Sequence, residues 1–131
     1  MSTSGLGSYR AVKNYGNLAD ANPHQVVHLM LDTLLTRILE ARGHLERGET
    51  AAKGEKIGKA LAITEGLLLS LDLERGGELA ENLQRLYDYS MRTLLKANVE
   101  NRVEPLDEVA GLVREIKAGW DAIPERIAVG G

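Results

Sequence analysis

The chain has 131 residues, 44% hydrophobic and 27% charged, with no cysteine, no phenylalanine, one Trp and four Tyr. That length supports one domain with its own core, and the lack of cysteine excludes disulfide staples, thiolate zinc sites and cysteine nucleophiles. Sixteen basic against nineteen acidic residues give a net charge of -3 with both signs dispersed, which is no footprint for nucleic acid.

No apolar run approaches the ~20 residues of a membrane-spanning helix. Met1 to Gly5 also lacks the basic and apolar regions of a secretory signal, so a cytosolic protein without membrane insertion is expected. Residues 1–21 read as a flexible arm, polar and small, with Leu6, Tyr9, Val12, Tyr15 and Leu18 three apart. The spacing allows a partly helical arm on binding, while Gly5, Gly7 and Gly16 oppose a stable helix in isolation.

Asn22-Pro23-His24-Gln25 reads as a helix start, with Asn as N-cap, Pro at the first helical position and Gln three residues after the cap. The first helix is expected over 23–47, with Val27, Leu31, Leu34, Ile38, Ala41 and Leu45 on one face and Gly48 as its stop. A second, over 50–73, carries Ile57, Ala60, Thr64, Leu67 and Leu71. Gly76-Gly77 closes that connection, and a third helix runs to Asn98 with Glu78 and Glu81 in its first turn and Leu79, Leu83, Leu86, Ser90 and Leu94 inward. The fourth, over 105–123, places Leu106, Val109, Val113, Ile116, Trp120 and Ile123 at spacings of three and four before Pro124. These elements predict an all-α fold, an antiparallel four-helix bundle over 22–124 with a short N-terminal arm and a disordered tail at 125–131.

A bundle helix is polar opposite its seam, so apolar or small residues there carry information. Gly54, Gly58, Ala62 and Gly66 form an i, i+4 row on the second helix, continued by Leu69 and Leu73. Each helical Gly costs about 1 kcal/mol against Ala, which points to the close approach of another backbone. On the third helix Tyr87, Met91, Leu94 and Leu95 widen the apolar arc. Two readings stay open: a trough for an added helix, with Gly58, Ala62, Gly66 and Leu69 as ridge and Tyr87, Met91 and Leu95 as flank, or packing against the fourth helix or the arm. Tyr89 reads as structural, at the bundle edge with its hydroxyl on a partner.

Signals for catalysis are few. His24, His28 and Asp32 share a helix face at metal-ligand spacing, yet no Glu follows His24 and a solvated face is the simpler reading. No metal site and no cofactor is expected. Asp72, Glu74, Glu78, Glu81 and Asp88 read as solvating residues of the third helix, without the aromatic platform of a sugar site. His44-Leu45-Glu46-Arg47-Gly48 resembles the signature of histidine phosphotransfer bundles, although Gly48 falls where the helix should end. That is the alternative to a non-enzymatic function.

Several stretches together resemble one family, the flagellar secretion chaperones called FliS. They are Asn22-Pro23-His24-Gln25, Ala51-Ala52-Lys53-Gly54-Glu55, Lys59-Ala60, the run from Leu71 through Glu74 and Gly76-Gly77 to Ala80, Leu86-Tyr87-Asp88-Tyr89, Leu94 to Asn98, and Trp120. Two departures are Asn22, where the family usually has Ser, and Ser90-Met91 after the second Tyr. The resemblance implies a cytoplasmic chaperone that binds the disordered C-terminal segment of flagellin, prevents early polymerisation and presents it to the flagellar type III export apparatus. It also implies client contact through Leu6 and Tyr9 of the arm. A monomer or weak homodimer is expected.

Overall fold

A computed structural model of the chain describes residues 22–123. The arm at 1–21, with Leu6 and Tyr9, and the tail lie outside the described residues. Within them are four helices and no strand: α1 (Pro23–Glu46), α2 (Thr50–Leu69), α3 (Leu73–Glu100) and α4 (Val103–Ala122). Each helix packs on two neighbours, α1 and α3 both lying between α2 and α4, so the four close into a bundle.

The start of α1 follows from local chemistry. The Asn22 side chain accepts a hydrogen bond from the Gln25 amide at 2.8 Å, and Pro23 occupies a position whose N–H has no helical partner. Gly48 then turns the chain at a φ of +74°, a left-handed conformation that side chains disfavour.

Boundaries differ from expectation where capping overrides the apolar stripe. Helix α2 stops at Leu69, not residue 73, because Asp72 is extended and caps the next helix, its side chain accepting from the Arg75 amide at 3.0 Å. Helix α3 therefore starts at Leu73, and Gly77 breaks it after one turn with φ 52° and ψ -131°. Its end lies at Glu100, where Asn101 adopts the left-handed conformation and bonds back to Ala97. Helix α4 begins at Val103, with Pro105 in the first turn, where a missing N–H breaks no helical bond.

The core is built from Leu31, Leu34, Ile38 and Ala41 of α1, Ile57, Ala60 and Leu67 of α2, and Leu106, Val109 and Val113 of α4, all as the spacing predicts. Helix α3 is turned from its expected phase. Its buried stripe is Ala80, Leu83, Tyr87, Ser90, Leu94 and Ala97, while Leu79 is 37% exposed and Leu86 half-buried. Favouring large aliphatic residues over Ala80 and Tyr87 displaced the predicted seam by one residue at both positions.

Candidate binding surface

Successive i, i+4 positions on a helix drift by about 40°, so a row of four sweeps about 120° around it. The row on α2 does this. A Cβ at Gly54 would lie 3.7 Å from Asn98 Oδ1 on α3, and one at Gly66 would lie 3.2 Å from Met30 Cε on α1. Between them a Cβ at Gly58 would meet nothing within 4 Å, and Ala62 is exposed. The row thus crosses the outer face of α2 from the α3 side to the α1 side. Its ends are explained by internal packing and its middle is not.

Leu69, at the end of α2, is 78% exposed. On α3 Leu95 is 51% exposed, Met91 half-buried, and Val99 also open. With α2 and α3 antiparallel and Lys53 meeting Asn98, Leu95 lies within a turn of Gly58 and Met91 within a turn of Ala62 along the bundle. Tyr87 is corrected: expected on the flank of this face, it is 2% exposed within the core. Of the two described tyrosines Tyr89 faces outward, donating to Glu108 at 2.5 Å across to α4, a bond that also raises its pKa.

A cavity of about 350 Å³ opens at one end of the bundle. Val26, Val27 and Met30 of α1, Leu71 of the α2–α3 connection, and Leu79, Leu83 and Tyr87 of α3 form most of its lining. A second, of about 370 Å³, lies between α3 and α4 against Leu86, Leu112, Ile116 and Ile123. The two share Leu79, Leu83 and Trp120. Sequence periodicity missed both, because they are assembled from the ends of separate helices; the single Trp was the one available signal.

Trp120 is held by α1. Its Nε1 donates to the His24 carbonyl at 2.9 Å, His24 Nε2 donates to the Trp120 carbonyl at 2.9 Å, and the rings stack 5.1 Å apart. His28 donates through Nδ1 to Asp121 at 2.6 Å, and Lys117 pairs with Asp32. His24 and His28 thus serve as links between α1 and α4. Among the described residues no three His, Cys, Asp or Glu side chains are grouped as a metal site.

His44 occupies the last turn of α1, its Nδ1 bonded to Glu49 Oε1 at 2.7 Å. His44 and Arg47 together hold the Glu49 carboxyl below its usual pKa. Gly48 lies beyond the helix, so the exposed mid-helix His with a following helical Gly that phosphotransfer uses is not formed. No described helix is long and apolar enough to cross a membrane.

The family model described as flagellar protein FliS matches residues 6–127. The chain belongs to the FliS family. It is similar to the flagellar secretion chaperone FliSB of Pseudomonas aeruginosa, 47% identical over 118 residues that span 90% of this chain and 94% of the relative. The FliS chaperone of Salmonella typhimurium is 40% identical over 92% of this chain and 90% of its own length. That of Vibrio cholerae is 36% identical, covering 91% and 88%. As a FliS chain this protein falls among the flagellar secretion chaperones.

Proposed function

We propose that this FliS-family chain acts in the cytosol by binding the C-terminal segment of flagellin, holding it from polymerising early and handing it to the flagellar type III secretion apparatus. The observation that carries the reading is the apolar face of α2 and α3, where, among the described residues, Gly58, Ala62, Leu69 and Leu95 are exposed and Met91 is half-buried. A bare ridge beside apolar side chains suits an amphipathic helix laid along the bundle. A disordered segment would fold as it binds, its ordering entropy offsetting part of the gain from apolar burial. Gly66 belongs to the same path, since a Cβ there would lie 3.2 Å from Met30 Cε and Met30 also lines the cavity at the bundle end.

The arm completes this proposal. Pro23, the first helical residue after the arm that carries Leu6 and Tyr9 in sequence, lines the cavity. The arm shields apolar surface in the free protein and takes part when the client arrives.

Titration calorimetry against a peptide of the flagellin C-terminal segment tests the reading. Saturable 1:1 binding with a large negative heat-capacity change is expected. No heat at several temperatures, with the protein folded, would overturn it. Deleting residues 1–20 with neither affinity nor solubility altered would remove the role of the arm.

A further inference from the structure

Helix α4 ends at the wall of a cavity. Ile123, the first residue past the helix, lines the opening of about 370 Å³ between α3 and α4, and its backbone is extended, with φ -81° and ψ 129°. Pro124 comes next in sequence, and a proline favours both an extended residue before it and the second position of a turn. One turn back on α4, Gly119 also lines the cavity, and a Cβ there would meet nothing within 4 Å. The backbone beside Ile123 is thus open to a returning chain.

The sequence after Pro124 suits that path. Leu, Ile and Trp side chains form most of the wall, and Glu115 is its one charged residue. Beyond Arg126 the chain reads Ile127-Ala128-Val129-Gly130-Gly131, uncharged throughout. In an extended chain Ile127 and Val129 fall on the same side, so one strand can turn both inward. Length also agrees. A turn takes residues 124–126, and the next three span about 10 Å at about 3.4 Å per residue, which equals the rise of α4 from Ile123 back to Ile116. Alone, 125–131 has too little apolar surface to fold, but against a preformed cavity it need bury only two side chains.

We infer that residues 124–131 double back along α4 and seat Ile127 and Val129 in the cavity between α3 and α4, as a strap across those two helices. The attachment point selects this segment over the arm: Ile123 lines this cavity and not the one at the bundle end, whereas Pro23 lines the bundle-end cavity and not this one. Tethering selects it over a separate molecule, because a linker of a few residues holds a segment at an effective concentration of about millimolar. Leu79, Leu83 and Trp120 belong to both cavities, so the strap packs on one side of a wall whose other side faces the bundle end.

The full chain has no cysteine, so an introduced pair gives its only thiols. Asn82 is exposed on the α3 rim of the cavity, and Ala118 is exposed on α4 away from the lining. Asn82→Cys with Val129→Cys should form a disulfide under mild oxidation at least about ten-fold faster than Ala118→Cys with Val129→Cys. A freely moving segment would favour Ala118, the nearer residue in sequence, so equal or reversed rates would overturn the inference. Covalent dimers at a rate that rises with protein concentration would overturn it in favour of a second copy. Asn82→Cys coupling as fast to Leu6→Cys would overturn it in favour of the arm. Independently, Ile127→Asp should shift the emission of Trp120 to the red by unseating the strap, and an unshifted spectrum with the bundle folded would count equally against it.

Discussion

Lys53 donates through Nζ to Asn101 Oδ1 at 2.5 Å, tying the first turn of α2 to the residue that ends α3. The same ammonium donates to the Asn98 carbonyl at 2.9 Å, one of the terminal acceptors that a helix leaves unpaired. Lys53 is 2% exposed, so its charge sits where the α3 dipole is negative and where Asn101 turns the chain left-handed.

Lys53→Met should therefore destabilise the bundle by about 1–3 kcal/mol, since it strands buried acceptors at the end of α3. Urea denaturation followed by circular dichroism measures this. A midpoint equal to wild type would show that the cap contributes nothing.

Gly58→Ala should raise stability by up to about 1 kcal/mol, because a Cβ there meets nothing and the helix gains propensity. The same change should weaken the flagellin peptide if the client backbone rests on the bare ridge. Thermal melts and calorimetry on one preparation give both numbers. Unchanged stability would mean that the glycine is strained in some other way.

Ala62→Arg adds a long charged side chain on an exposed position and should leave helicity and melting within about 0.5 kcal/mol of wild type. Client affinity should collapse. If binding survives with the circular dichroism intact, the client does not lie on this face.

His24→Ala removes the stack and the ring hydrogen bond that hold Trp120. A loss of about 1–3 kcal/mol is expected, with the emission of the single Trp shifted to the red as the indole loosens toward solvent. Fluorescence-detected unfolding reads both effects, and an unshifted spectrum would mean that the cavity walls alone fix the ring.

Stability should fall in acid through carboxylates whose folded pKa values are lowered. Asp107 is held down by Arg42. Burial pushes Glu40 up, but Arg37 and Lys56 outweigh it and leave its pKa lowered. Glu49 is lowered by His44 and Arg47. Such groups contribute fully above the unfolded carboxyl range of about 3.9 to 4.3, and the contribution is lost as pH falls through the lower folded values. Thermal midpoints taken down from neutral pH should stay level and then drop below about pH 4. Arg42→Ala should make that drop shallower, by a small amount because the pair is solvent-exposed. An identical acid limb in the variant would count against the Arg42–Asp107 contribution.

Short-range physics was legible in the chain itself. The Asn22-Pro23 start, the stop at Gly48 and the spacing of Leu31, Leu34, Ile38 and Ala41 each depend on residues within a turn or two, so they determined four helices and most of the core. Motif order determined the family. Tertiary structure alone decided how the helices are turned and what meets at their ends. Periodicity could not choose between Leu86 and Tyr87, one residue apart, because the phase of α3 is set by packing against α2 and α4 after the break at Gly77. Nor could it separate Gly54 and Gly66, which face neighbouring helices, from Gly58, which faces nothing. His24 and Trp120 are 96 residues apart in sequence, and Lys53 and Asn101 are 48 apart. Contacts of that span have no local signature, since they exist only once the helices have settled into register.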